Sequence, residues 1–223
     1  MTRRPPRVDA VLFDLDGTLV DSAPDLAAAA NEQRQAHGLP PAPYAELRRM
    51  VGSGARGMLR VAFGLLPGEP RYDELRLDFL QRYERRFLQR TRIFEAMQPV
   101  LQVLQAYPVP WGIVTNKALR LAEPIVHGLQ LHAAGALVGG DSTPHTKPHP
   151  APLLEAARRL GADPARCVYV GDDVRDMRAG RAAGMACLAA AWGYLGDAEP
   201  IDEWGADHVL PEPAALLHWL ELA

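Results

Sequence analysis

Short apolar runs that stop at polar residues recur along the chain: Val8 to Phe13 before Asp14, Trp111 to Val114 before Thr115, Ala136 to Val138 before Gly139, and Cys167 to Val170 before Gly171. Runs this short, without polar alternation, read as strands buried on both faces of a parallel sheet. Helical patterns with stop signals lie between them, at Ala118 to Leu129, at Pro150 to Leu160 closed by Gly161, and at Val174 to Ala183 closed by Gly184. Ala186 to Ala190 and Asp207 to Leu210 add strands before a final helix around Pro213 to Leu222. The alternation predicts an α/β fold, a doubly wound parallel sheet with a Rossmann-like core.

The stretch from Asp21 to Arg92 shows helical periods and no strand pattern. Asp25 to His37 reads as one helix, ended by Gly38 and the Pro40, Pro41 breaker. Leu75, Phe79, Leu80, Tyr83 and Phe87 recur at three- and four-residue steps, with arginines and acids between them, as on an amphipathic helix. The expected organisation is a catalytic core of residues 1–20 and 93–223 interrupted by an all-helical domain of residues 21–92.

Composition narrows the function classes. The chain has 223 residues, 48% of them hydrophobic, enough to bury a full core. Its 24 basic and 27 acidic residues give a net charge of −3, without the basic excess that nucleic-acid binding uses. No apolar run reaches the roughly 18 residues of a membrane span. The Arg3, Arg4, Arg7 start leads into a stretch broken by Asp9, Asp14 and Asp16, so it does not read as a signal peptide. The expected location is the cytoplasm, with Cys167 and Cys187 as small buried hydrophobes. All basic residues but two are arginine, and the exceptions are Lys117 and Lys147. A position that keeps lysine in such a chain points to a need for a compact point charge in place of a planar fork, which marks both as site candidates.

In a doubly wound sheet, ligands bind beyond the carboxyl ends of the strands. The polar residues expected to converge there are Asp14, Asp16, Thr115, Asn116, Lys147, Asp172, Asp173 and Asp176. Several carboxylates at one point repel each other and need a cation, and an all-oxygen donor set selects a hard ion such as Mg²⁺. Asp14 and Asp16 leave the same face of an extended strand end, so one can attack as nucleophile while the other carries the proton. Gly17 permits a tight turn whose N–H groups form half of a phosphate cradle.

The segment from Asp14 to Ser22, DLDGTLVDS, resembles the first motif of the haloacid dehalogenase superfamily. Val114-Thr115-Asn116-Lys117 resembles its second, Lys147-Pro148-His149-Pro150 its third, and Gly171-Asp172-Asp173 with Asp176 its fourth. The resemblance spans nearly the whole chain, and the helical segment falls where this superfamily carries its first type of cap domain. It implies that Asp14 forms an aspartyl-phosphate and that Asp16 protonates the leaving oxygen and then activates water. It further implies that Asp14, Asp172 and the Asp16 carbonyl hold Mg²⁺, while Asp173 or Asp176 supports them from behind. Thr115 and Lys147 would bind the transferring phosphoryl oxygens, and Asp176 would orient Lys147. Asp173 departs from the Ser or Thr that many relatives carry there. An acid at Asp16 disfavours dehalogenation.

The Thr115-Asn116-Lys117 string resembles the phosphoglycolate phosphatase branch. With Phe94-Glu95-Ala96-Met97, Glu123-Pro124-Ile125, Trp192-Gly193-Tyr194 and Trp204-Gly205-Ala206-Asp207, the pattern resembles the N-acetylmuramic acid 6-phosphate phosphatases of peptidoglycan recycling. Gly52 and Gly54 suggest a turn between two helices that leaves Ser53 or Arg56 free to hold a substrate carboxylate, with a plain connection and a solvated Arg56 as the equal alternative. Trp192 and Tyr194 are expected to pack in the core or to line the pocket. The expected partner is a small-molecule phosphate ester, with no nucleic acid or membrane, for a monomer or homodimer. The alternatives are a β-phosphoglucomutase-like phosphotransferase and a non-catalytic binding protein on the same fold.

Overall fold

A computed structural model describes residues 8–197 and 199–222, so the Arg3, Arg4 and Arg7 start lies outside the described residues. The chain enters on β1 (Ala10–Phe13), all four residues buried. After the turn at Gly17 comes β2 (Val20–Asp21), which leads into α1 (Ala23–Ala36), α2 (Tyr44–Arg49), a single 3-10 turn at Val51–Ser53, α3 (Gly54–Phe63) and α4 (Tyr72–Glu84). The chain returns on β3 (Arg92–Ile93), antiparallel to β2, with Asp21 opposite Arg92. It continues through α5 (Met97–Ala106), β4 (Trp111–Val114), α6 (Leu119–Gly128), β5 (Ala136–Val138) and α7 (Ala151–Leu160). Then follow β6 (Cys167–Gly171), α8 (Val174–Ala182), β7 (Ala186–Ala190), β8 (His208–Leu210) and α9 (Ala214–Trp219).

Six strands form one parallel sheet in the order β5-β4-β1-β6-β7-β8. The expected doubly wound sheet is therefore present, and its strands fall within two residues of their expected bounds. Chain order reverses at β1, which has β4 on one side and β6 on the other, so the crevice beyond β1, β4 and β6 is the natural ligand position. One apolar cluster, including Val11, Phe13, Ile113 and Val170, packs on one face of the sheet, and a second, including Leu12, Val114, Leu153 and Tyr169, packs on the other. Alternate residues of β1 thus feed opposite clusters, the two-sided burial that its apolar run implied.

The helices between β2 and β3 bury a third cluster around Leu26, Leu47, Met58, Leu59, Phe79 and Tyr83. Leu75, Phe79 and Tyr83 form the buried stripe of α4, and Phe87, beyond its end, packs against the same cluster. Two features differ from the expectation. The stretch from Asp21 to Arg92 holds strand at both its ends, because β2 and β3 contribute two residues each, too few for any period to register. Helix α5 was also unforeseen, although Met97, Val100, Leu101 and Leu104 are its buried face. No helix among the described residues is long and apolar enough to cross a membrane.

Candidate active site

β1 delivers Asp14 and Asp16, β4 delivers Thr115, and β6 delivers Asp172 at the same edge of the sheet. Carboxylate oxygens of Asp14, Asp172 and Asp176 lie within 4.8 Å of one another, with Asp172 and Asp176 buried. Lys147, 4% exposed, arrives from the loop before α7. Its Nζ is 2.8 Å from Asp14 Oδ1 and 2.8 Å from Asp176 Oδ1, and it donates to the Val114 carbonyl and to Tyr169 Oη at 3.0 and 2.7 Å. The pairing of Asp176 with Lys147 is the contact expected of it. Burial and then the negative charge of Asp14 and Asp176 push the Asp172 carboxyl well above the carboxylate range. Burial likewise pushes Asp14 up to about 7, against the attraction of Lys147.

Local backbone fixes these groups. Asp172 Oδ1 accepts from Thr18 Oγ1 at 2.9 Å, and Oδ2 accepts from the Tyr194 N–H at 2.8 Å. Gly17, at φ +91°, and Gly193 flank this carboxylate, and a Cβ on either would overlap the Asp172 side chain. The Gly17 N–H is bonded to the Val20 carbonyl at 2.9 Å and Gly17 does not line the cavity, so this glycine provides close approach in place of the anion contact expected from it. Asn116 uses both ends of its amide on the Lys147 backbone, donating to its carbonyl and accepting from its N–H at 2.9 Å each. Its amide therefore clamps the lysine loop, and Asn116 lines the cavity beside it. Asp173 caps α8 in a capping box with Asp176 and pairs with Arg175, which reaches the Gly52 carbonyl in the helical insert at 2.5 Å.

The carboxylates and Lys147 face a cavity of about 360 Å³ whose opposite wall is the helical insert. Ser53 and Arg56 line it, joined by Tyr72, Arg76, Phe79 and Tyr83, with Thr115, Lys117 and Arg120 on the core side. Arg56 is exposed and has no ion-pair partner among the described residues. Thr115 is buried, and its Oγ1 accepts from the Lys117 N–H at 3.1 Å.

Further groups support the site in roles that the sequence did not show. Tyr83 meets Lys117, and Lys117 Nζ meets Asp16 Oδ1 at 2.7 Å. The Ser22 hydroxyl donates to the same oxygen at 2.5 Å. Tyr194 lies buried outside the cavity, its hydroxyl accepting from the Ser22 and Ala23 N–H groups and donating to Asp21, while the Trp192 indole N–H donates to the Thr18 carbonyl. The count of two lysines was the sequence signal for Lys117; the tyrosines carried none beyond the helical period and the Trp192-Gly193-Tyr194 string.

The donor set fits a divalent hard cation. Four carboxylates, those of Asp14, Asp16, Asp172 and Asp176, face two ammonium groups, those of Lys117 and Lys147, so with every carboxyl ionised two negative charges are uncompensated. Asp14 Oδ1 is also buried without a hydrogen bond of good geometry.

A family model described as haloacid dehalogenase-like hydrolase matches residues 8–184. An N-acetylmuramic acid 6-phosphate phosphatase of Pseudomonas aeruginosa is 40% identical over 218 residues, 97% of this chain and 96% of that protein. A phosphoglycolate phosphatase of Xanthomonas campestris pv. campestris is 48% identical over 210 residues, 93% of this chain and 94% of that protein. The crystal structure of a predicted phosphoglycolate phosphatase from Haemophilus somnus superposes with a TM-score of 0.84 at 28% identity, covering 96% of this chain and 98% of the other. With that match over most of its length, and with its carboxylates gathered at the switch point of the sheet, the chain belongs to the haloacid dehalogenase-like hydrolases and is a phosphoric monoester hydrolase.

Proposed function

We propose that this protein is a Mg²⁺-dependent phosphatase working through a phosphoryl group carried on Asp14. The carrying observation is the meeting of Asp14, Asp172 and Asp176 with buried Lys147 in a cavity walled by the insert. In this reading an Asp14 oxygen attacks phosphorus, the ester P–O bond breaks, and Asp16 gives its proton to the leaving oxygen. Asp16 then takes a proton from water as that water attacks phosphorus, which frees Asp14 and inorganic phosphate. Lys147 and Thr115 hold the phosphoryl oxygens, Asn116 and Asp176 hold Lys147, and Thr18 and the Tyr194 N–H aim Asp172. Asp14, Asp172 and the Asp16 carbonyl are the groups that would hold Mg²⁺. When bound it supplies positive charge to the carboxylate cluster and to the phosphoryl oxygens. We read the insert of residues 21–92 as a cap that excludes water from this chemistry.

The substrate is a small phosphate ester, and relatives are named for two: N-acetylmuramic acid 6-phosphate and phosphoglycolate. Both carry a carboxylate, which suits Arg56. Size separates them. A cavity of about 360 Å³ holds on the order of a dozen waters at ~30 Å³ each, which leaves most of the space empty around a two-carbon ester. Its mixed wall of Tyr72, Phe79, Leu80 and Leu121 with Arg56 and Arg76 matches a sugar ring bearing a second anion. We therefore favour the muramic acid ester, in a cytoplasmic enzyme whose two cysteines are free. Phosphate release with Mg²⁺ from 2-phosphoglycolate, N-acetylmuramic acid 6-phosphate, N-acetylglucosamine 6-phosphate and β-glucose 1-phosphate, compared by kcat/KM, tests this. Preference for 2-phosphoglycolate overturns the size reading, and phosphate moved within a sugar without release indicates a mutase.

A further inference from the structure

Lys117 joins three parts of the molecule. Its backbone N–H is bonded to Thr115 at the end of β4, so its stem is fixed on the core. Its Nζ donates to Asp16 Oδ1 at 2.7 Å and to Tyr83 Oη at 2.9 Å, and it lies 4.9 Å from the centre of the Tyr83 ring. Tyr83 belongs to α4 in the insert, is 1% exposed, and stacks on Phe79 at 6.5 Å with an interplanar angle of 4°. It cannot move without carrying that helix. Ser22, on the connection between β2 and α1, donates to the same Asp16 oxygen at 2.5 Å. Both bonds therefore fall on Oδ1, and Oδ2 has no partner among the described residues, while Asp16 lines the cavity. The carboxylate is pinned by one oxygen, its Lys117 pin is secured by Tyr83 of α4, and the other oxygen is left for a ligand.

We propose that Tyr83 and Lys117 are positioning residues through which the helical insert sets the orientation of the Asp16 carboxylate. With Tyr83 in reach, Lys117 has two acceptors, one from the core and one from α4, and its ammonium stands at one point; with α4 displaced, only the Asp16 bond remains and the flexible four-carbon stem lets the pair wander. Asp16 is then correctly aimed only when the insert lies over the cavity, so proton delivery to the leaving oxygen is tied to closure. The choice of lysine follows: a compact ammonium with three donors fits between a carboxylate and a phenol, where a planar guanidinium does not. The proposal rests on the reading of Asp16 as the proton carrier.

The test compares leaving groups. Tyr83→Phe keeps the ring, its stacking on Phe79 and the fold, which a thermal melt checks, and removes only the hydroxyl. With Mg²⁺, kcat for an alkyl ester such as N-acetylglucosamine 6-phosphate is expected to fall about tenfold, the scale of one hydrogen bond to a charged group, with KM nearly unchanged. For p-nitrophenyl phosphate, whose leaving group needs little protonation, the fall is expected to be less than about threefold. Lys117→Met is expected to show the same contrast more strongly, and Lys117→Arg to restore little of it. Equal losses on both esters, no loss on either, or a rise in KM at unchanged kcat overturns the proposal. Asp16→Asn, measured in parallel, separates the two levels. A leaving-group contrast in Asp16→Asn without one in Tyr83→Phe removes the positioning role and leaves the proton-carrier reading in place, whereas no contrast in Asp16→Asn removes both.

Discussion

The sheet's strand ends and the helical insert that faces them handle charge in opposite ways. At the strand ends Lys147, Asp172 and Asp176 are 4%, 2% and 1% exposed and packed within touching distance, although burying charge costs several kcal/mol per ion before pairing offsets it. In the insert one charge is buried, Asp25, which accepts from the Arg90 and Thr91 N–H groups and the Thr91 hydroxyl, and elsewhere charge lies at or near the surface in ordinary pairs: Arg82 with Asp78 and Glu32, Arg86 with Glu32, and Arg60 reaching across to Asp197. Pairs of that kind contribute roughly 0–1 kcal/mol each. A fold keeps a costly buried cluster where it has work to do, and an inexpensive surface network where it only needs a soluble helix. Lys117 is the one ammonium group that belongs to both, buried between Asp16 of the sheet and Tyr83 of the insert.

Substitutions test this contrast, and the largest effects belong to the strand ends. Asp14→Asn is expected to lose turnover to background while circular dichroism and the melting temperature show an intact fold. Substantial turnover in the folded variant would remove Asp14 as nucleophile. Lys147→Ala leaves Asp14 and Asp176 buried without their cation, so a loss of about 3–5 kcal/mol of stability is expected, together with a fall of roughly 10²–10³ in kcat. Denaturant titration and phosphate release measure the two separately.

A smaller effect concerns metal and pH together. Burial holds the Asp14 carboxyl up at about 7, above its unfolded value of 3.8, so without a cation it favours the fold fully below pH 3.8 and loses that contribution as pH rises through about 7. A cation reverses this by preferring the ionised carboxylates. The rise in melting temperature on adding Mg²⁺ is therefore expected to be larger at pH 8 than at pH 5.5, and an equal or larger rise at the lower pH contradicts it. The smallest effect belongs to the insert's surface: Arg85→Ala, which removes one exposed partner of Glu32, is expected to cost at most about 1 kcal/mol and to leave kcat/KM unchanged.

The same contrast governs how much was legible in the sequence. The strands of the sheet are short apolar runs ending in the residues of the site, so period and chemistry marked the same places: Phe13 before Asp14, Val114 before Thr115, Gly171 before Asp172. Helix α4 was visible by its buried stripe, yet its period could not show that Tyr83, one more apolar step, would turn its hydroxyl to Lys117. Gly17 and Asn116 were assigned to the site by position, but their contacts with Asp172 and with the Lys147 backbone depend on segments far away in sequence. Tyr194 is the same case, because its three partners at the hydroxyl lie some 170 residues earlier. The pair β2 and β3 was invisible for a simpler reason, since two residues carry no period.

With Asp14 as the nucleophile, its carboxylate becomes phosphorylated during turnover. Quenching the enzyme with acid while it consumes a saturating phosphate ester in Mg²⁺, followed by peptide mass spectrometry, reads this directly. One phosphoryl group is expected, on the peptide containing Asp14, absent without substrate and absent in Asp14→Asn. A phosphoryl group on another residue, or none at all in an enzyme that is releasing phosphate, contradicts it.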